Sequence, residues 1–299
     1  MLSPTLVVLN PHAGGGRAAA LAEPIREWLR NNSPGTTLVA EDSIDRARAM
    51  VQCLPRGSRV VLVGGDGTLH QMLPVYLTHR HVLGLVPMGN GNDTARALRL
   101  HRMPWQQALG HALNGPTIRM DVGDVRLVRG HEYFISSLAV GFDASVGQRA
   151  QKAPAALRGM PRYVWAVLAE IASLQNWRMT VNADGDLVRH GPTLLASVLN
   201  TPSYGSGMKA VPGARIADAR LNLLVAGRFG RVGTLLMLPR LLMGWHLKHS
   251  KIRTRPFDTL RVESETPIPL AADGEPLPAQ KEFEVRVRPS ALMVARGPD

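Results

Sequence analysis

Five consecutive residues, Gly64-Gly65-Asp66-Gly67-Thr68, combine three glycines with a carboxylate and a hydroxyl. Glycines let a backbone come close to a ligand and present consecutive N–H groups. Thr68 can cap a following helix, and a helix N-terminus favours an anion. Together they describe a phosphate cradle. The plainer reading is a strand-to-helix turn in which Asp66 and Thr68 only cap. Two other stretches share the composition. In "NPHAGGGR", Asn10, Gly14, Gly15, Gly16 and Arg17 could hold a phosphate or a nucleotide sugar, or form a flexible crossover. In "GNGND", Asn90, Asn92 and Asp93 offer donors and acceptors beside a second tight turn, where Asp93 could equally be a helix cap.

Carboxylates beside a phosphate site suit phosphoryl transfer, which asks for positioning and for neutralised charge. Magnesium takes oxygen ligands and keeps several waters, so Asp66 and Asp93 are its candidate partners. A hydroxyl nucleophile also needs a base within hydrogen-bond reach. Glu275 qualifies because "ADGE" is a tight turn that projects an acid after a strand; the alternative is an exposed turn residue. No G-x-x-x-x-G-K-[ST] occurs, which excludes a P-loop, and no G-x-G-x-x-G follows the first strand.

These residues need elements to position them. Apolar runs alternate with helical patterns through the first third. "TLVVLN" leads to helical periodicity over 18–30, and "TTLVA" to a helix over 43–54. "SRVVLVGG" precedes a helix from near Thr68, and "HVLGLVPMG" one from near Asp93. The alternation predicts an α/β fold whose first domain, 1–122, is a Rossmann-like three-layer unit with a parallel sheet. Ligands on such sheets bind at the carboxyl ends of strands, where all three glycine clusters fall. After Thr117 strands and turns dominate, with "ADGD" reading as a hairpin and helices predicted over 161–175 and 232–248. Residues 123–287 thus read as a mainly antiparallel β-sandwich domain with helices, and 288–299 as a segment able to rejoin the first.

The 299 residues, 45% hydrophobic, allow a sizeable core. A single cysteine, Cys53, excludes an internal disulfide and suits a reducing cytoplasm. The start lacks a basic n-region, so no signal peptide is expected. The longest apolar stretch, 232–245, is broken by Pro239 and Arg240, short of the roughly 20 residues that span a bilayer. A formal charge of +12 points to anionic partners: nucleic acid, a membrane surface or phosphorylated small molecules. Residues 144–169 hold four Lys or Arg and no acid, and 228–255 hold seven and no acid.

"NPHAGGGR", "GGDGTLHQ" and "GNGNDTAR", in this order, resemble the catalytic domain of the diacylglycerol kinase family, in particular its soluble bacterial lipid kinases. "MDVGDV", "FISSLAVGFDA", "VPGARIADARLNLLV" and "ADGEPL" fit the same pattern, so the resemblance covers nearly the whole chain. "GGDGT" alone is shared with NAD kinases. The resemblance implies ATP-dependent phosphorylation of a lipid hydroxyl, on diacylglycerol or a related glycerolipid, with magnesium (Mg2+). It implies that Gly64, Gly65, Asp66, Gly67, Thr68, Leu69 and His70 bind ATP phosphates, with Asn90 in the second loop where the family usually has threonine. Glu275 would be the general base, and Asp66, Asp93 and Asp121 the acidic network that organises magnesium. A second, structural magnesium would take the Asp218 carboxylate and the backbone carbonyls of Arg215 and Arg220, although Ala219 stands at the family's usual glycine.

A lipid substrate gives the basic stretches a use. Leu235, Leu236, Leu238, Leu241, Leu242 and Trp245 interleave with Arg231, Arg240 and Lys248, as on an interfacial helix or on a core helix with a basic face. Tyr163, Trp165 and Trp177 read as core before they read as a lipid groove. The expectation is a cytoplasmic kinase, peripheral on an anionic membrane, with homodimers common among relatives. An NAD kinase-like enzyme and a nucleotide-binding homologue without turnover are the alternatives. Nucleic acid is disfavoured, because few aromatics lie among the basic residues and no helix-turn-helix or zinc pattern occurs.

Overall fold

The computed structural model describes residues 5–154, 157 and 160–298. The chain divides into two compact units, Met1–Asp121 with Ser290–Asp299, and Val122–Pro289.

In the first unit the order is β1 (Leu6–Leu9), α1 (Ala22–Asn32), β2 (Thr37–Ala40), α2 (Ile44–Gln52), β3 (Arg59–Gly64), α3 (Asp66–His79), β4 (Val82–Pro87), α4 (Asp93–Ala97) and α5 (Trp105–Asn114). Strand β5 (Thr117–Arg126) carries the chain into the second unit. Parallel pairing runs β2-β1-β3-β4, and Met293 and Val294 add a parallel segment beside Val82 and Leu83. Strands β1 and β3 are buried along nearly their whole length, the pattern of a sheet covered on both faces. Val7, Leu9, Val61 and Val63 pack with α1 and α5 through Ile25, Leu29, Leu109 and Leu113. From α3, Tyr76 is fully buried and its hydroxyl donates to the Val60 carbonyl at 3.2 Å. The helix near Asp93 is only five residues long. Arg99 then takes a left-handed conformation, and Pro104 opens α5, which the sequence pattern had not separated.

The second unit holds β6 (His131–Phe134), β7 (Ser137–Val140), α6 (Phe142–Gln151), α7 (Met160–Ala172), β8 (Trp177–Ala183) and β9 (Asp186–Leu199). There follow β10 (Leu221–Gly227), α8 (Arg231–Met243), β11 (Ile252–Phe257), β12 (Thr259–Ala272) and β13 (Glu275–Ala295). Its pairings are antiparallel, β11-β10-β9-β7-β12-β13, with β8 joined to both β9 and β12. Alternate residues enter the sandwich core, among them Met179, Val181, Ala183, Leu260 and Val262. Trp177 belongs to that core, whereas Trp165 is about one-third exposed. Helix α8 ends before residue 248, because Gly244 turns left-handed (φ 75°) and Trp245 N–H then bonds back to Arg240.

Candidate active site

Three loops meet at the carboxyl edge of the parallel sheet. Asn10 ends β1, and its side-chain amide donates to Thr68 Oγ1 at 2.8 Å. Gly65 and Gly89 pass so close that a Cβ on Gly65 would lie 2.9 Å from the Gly89 Cα. Any side chain there would force the β3 and β4 loops apart. Asn92, left-handed at φ 52°, locks its own loop: Oδ1 accepts from Gly89 N–H at 2.9 Å and Nδ2 donates to Gly89 O at 2.7 Å. Arg17 donates to Gly14 O at 2.9 Å and reaches Asn90 Oδ1 at 3.4 Å.

The two loop acids come together. Asp93 N–H donates to Asp66 Oδ2 at 3.3 Å, and Asp93, nearly buried, has Arg96 at 3.8 Å. Asp66 opens α3 with Gly65 as its cap. The first-turn N–H groups of Gly67 and Thr68 have no acceptor within the helix, so the amino end of α3 carries its dipole and its donors beside two carboxylates. Leu69 and His70 are different. Leu69 is fully buried with its N–H on Gly65 O, and the His70 side chain is buried too. A small pocket adjoins this edge, lined by Asn10, Thr68, Glu41, Asp42, Leu62 and Gln71. Glu41 and Asp42 escaped sequence reasoning; their place just past a parallel strand was the available signal.

Asp121 is buried on β5 and accepts from Ser290 N–H at 2.7 Å. Glu275 stands in the second unit, half-buried, just after the Asp273-Gly274 turn, and no hydrogen bond or ion pair holds its carboxylate among the described residues. Asp218 Oδ1 accepts from Arg220 N–H at 3.2 Å, and Arg215 and Asp218 are exposed. Ala219, at the family's glycine position, is left-handed at φ 61°. The Arg220 guanidinium reaches Asp258 at 3.1 Å and Asp184 at 3.6 Å.

Residues 4–125 match the diacylglycerol kinase catalytic domain, and residues 136–296 match the YegS C-terminal NAD kinase beta sandwich-like domain. A diacylglycerol kinase of Mycobacterium tuberculosis (strain ATCC 25618 / H37Rv) is 31% identical over 96% of this chain and 93% of its own. The chain belongs to the diacylglycerol kinase family. As a member it is a kinase, a phosphotransferase by family. Solved structures share the fold of this lipid-kinase family chain. A diacylglycerol kinase from Bacillus anthracis str. Sterne aligns over 99% of this chain and 97% of its own, with TM-score 0.73 and 16% identity. An NAD kinase from Archaeoglobus fulgidus, in complex with ATP, aligns over 98% and 93%, with TM-score 0.56 and 13% identity. No helix among the described residues is long and apolar enough to cross a membrane.

Proposed function

We propose that this chain transfers the γ-phosphate of ATP to the hydroxyl of diacylglycerol or a related glycerolipid. The observation that carries the reading is the Gly65–Gly89 approach with Asp66 and Asp93 joined beside it. Magnesium binds through one or two carboxylates plus substrate phosphates, and this pair matches that donor set. When bound, ATP and magnesium supply the transferable phosphoryl group and neutralise its charge. Gly64, Gly65, Gly67 and Thr68 hold the phosphates through backbone N–H groups and the hydroxyl, with Asn10, Asn92, Arg17 and Asn90 securing the loops. Asp66 and Asp93 hold the metal, with Asp121 completing the acidic set. The ATP complex of the Archaeoglobus NAD kinase, on the same fold, supports this nucleotide assignment. Glu275 takes the proton of the lipid hydroxyl as it attacks, a role that suits an acid without a competing partner. The Asp218 loop fits a second magnesium poorly, since it offers one exposed carboxylate that already accepts the Arg220 N–H of its own turn. No step rests on it.

The lipid is met at an anionic membrane surface. Val232, Leu235, Leu236, Leu242, Met243 and Trp245 are exposed on and just after α8, in a stretch of seven basic residues and no acid. Each Lys or Arg near such a surface is worth about 1 kcal/mol. The test incubates the protein with labelled ATP, magnesium, vesicles containing diacylglycerol and phosphatidylglycerol, and separately with NAD. Lipid alone is labelled, labelling falls with added salt, and Asp66→Ala brings it to background while leaving circular dichroism unchanged. Labelling of NAD and no lipid would overturn the reading.

A further inference from the structure

Strand β2 delivers an acid to the edge where the phosphate loops meet. Its last residue, Ala40, lies beside Leu9 of β1, and the Glu41 N–H then donates to the Leu9 carbonyl at 2.9 Å. The parallel ladder therefore sets Glu41 next to Asn10, whose side chain reaches Thr68 in the first turn of α3. Neighbouring strands lie about 4.8 Å apart. The chain just past β3, β1 and β2 thus presents Thr68, Asn10 and Glu41 along one edge, in that order. All three line the same small pocket, to which Leu62 and Met72 add apolar surface.

Glu41 faces inward. Its side chain is only 10% exposed, whereas that of its neighbour Asp42 is 59% exposed. One carboxylate oxygen, Oε1, is fixed from two directions, accepting from the Ser43 N–H at 2.9 Å and from Arg46 Nε at 2.9 Å. Arg46 also donates to Asp42 Oδ1 at 2.8 Å, which anchors the guanidinium that holds Glu41. No N–H or O–H group of the described residues donates to Oε2. A carboxylate has about four lone-pair sites, and an acceptor left unpaired at this depth is costly. Backbone and arginine thus hold the acid still while one oxygen stays open to a donor in the pocket.

The geometry points to Glu41 as the residue that selects the nucleotide's sugar, its Oε2 accepting from the vicinal ribose hydroxyls. In βαβ units that bind dinucleotides, an acid at the end of the second strand hydrogen-bonds the ribose 2′-hydroxyl. The glycine loop differs here, but the strand order and the place of the acid are the same. Ribose is also the part of ATP that suits this acceptor: the phosphates repel a carboxylate, and adenine offers only its amino group as a donor. The inference rests on the proposed nucleotide reading and adds the residue that distinguishes ATP from a deoxynucleotide.

Isothermal titration calorimetry of the full chain with magnesium compares ATP, 2′-deoxy-ATP and inorganic tripolyphosphate. The wild type is expected to bind 2′-deoxy-ATP about ten- to hundredfold more weakly than ATP, the worth of a hydrogen bond to a charged group. Glu41→Gln keeps an acceptor for Ser43 and removes the charge. It should bring the two nucleotides within about threefold of each other while tripolyphosphate binding stays within the same range. Arg46→Met, at an exposed side chain, frees the carboxylate to turn and should also lower the preference. Equal wild-type affinities for ATP and 2′-deoxy-ATP overturn the inference and leave the nucleotide reading standing. So does a preference undiminished in either folded variant. Binding of neither ATP nor tripolyphosphate overturns both.

Discussion

The second unit contains the same short pattern twice: Ala183-Asp184-Gly185-Asp186 and Ala272-Asp273-Gly274-Glu275. Both make two-residue hairpins with the aspartate and the glycine left-handed, at φ 52° and 86° in the first and 49° and 90° in the second. That geometry demands residues tolerant of positive φ, hence Asp-Gly. In both, the turn aspartate stitches a neighbouring segment. Asp184 accepts from the N–H groups of Asp258 and Thr259, each at 2.9 Å. Asp273 accepts from Ile135, Ser136 and Ser137 at 2.7–3.1 Å. The acid after each turn has a different fate. Asp186 is tied to Arg255 at 2.7 Å, while Glu275 has no cation on it among the described residues. Closely similar local chemistry has produced one neutralised surface acid and one acid with no cation on it among the described residues.

The largest effect should come from exchanging those two acids for amides. Glu275→Gln should lower lipid phosphorylation about a hundred- to ten-thousandfold, the usual worth of a general base, with the fold intact. Asp186→Asn should leave turnover unchanged and stability within about 0.5 kcal/mol, as for exposed ion pairs. Equal activity losses in the two variants would erase the contrast.

The stitches come next. Asp273→Ala leaves three backbone N–H groups without their carboxylate and should cost about 3 kcal/mol. Asp184→Ala removes two and should cost about half as much, both read from urea unfolding.

Asp143 tests how far burial separates it from the turn acids. Although half-buried by surface area, it lines an apolar cavity walled by Val146, Val167, Leu224 and Ala226, and burial pushes its pKa from 3.8 up to about 6 against the hydrogen bonds it accepts. Between those values the native state binds more protons than the unfolded chain, so stability falls as pH rises through the window. The loss above about pH 6 is at most about 3 kcal/mol. Unfolding of wild type and Asp143→Asn at about pH 4.5 and about pH 7 should show the loss only in wild type.

The smallest effect is at Ala219, whose left-handed backbone precedes the arginine that reaches Asp184. Ala219→Gly should stabilise the protein by about 1 kcal/mol in thermal unfolding, by relieving that strain.

Much of the candidate site was legible beforehand because glycine excess is a local demand. Gly65, Gly89 and the Asp-Gly turns announce close approach and positive φ in the residues themselves. Helix α5 was not legible, since Pro104 reads as a break whether or not a helix follows it. Helix α8 misled at its end, where Gly244 stops the pattern one turn before the apolar residues run out. Its two apolar faces carry no periodic difference, so the sequence could not say which packs on the second unit's apolar cluster.

By itself, then, the sequence determined the alternating elements, the turns and the loops able to bring amides and acids to one sheet edge, because those depend on neighbours within a few residues. Only the tertiary structure decided which acids are paired, which carboxyl is walled in and which leucines are left outside. Those outcomes depend on partners tens of residues away, such as Arg255 for Asp186 and the cavity wall for Asp143, and on the dielectric that packing creates around them.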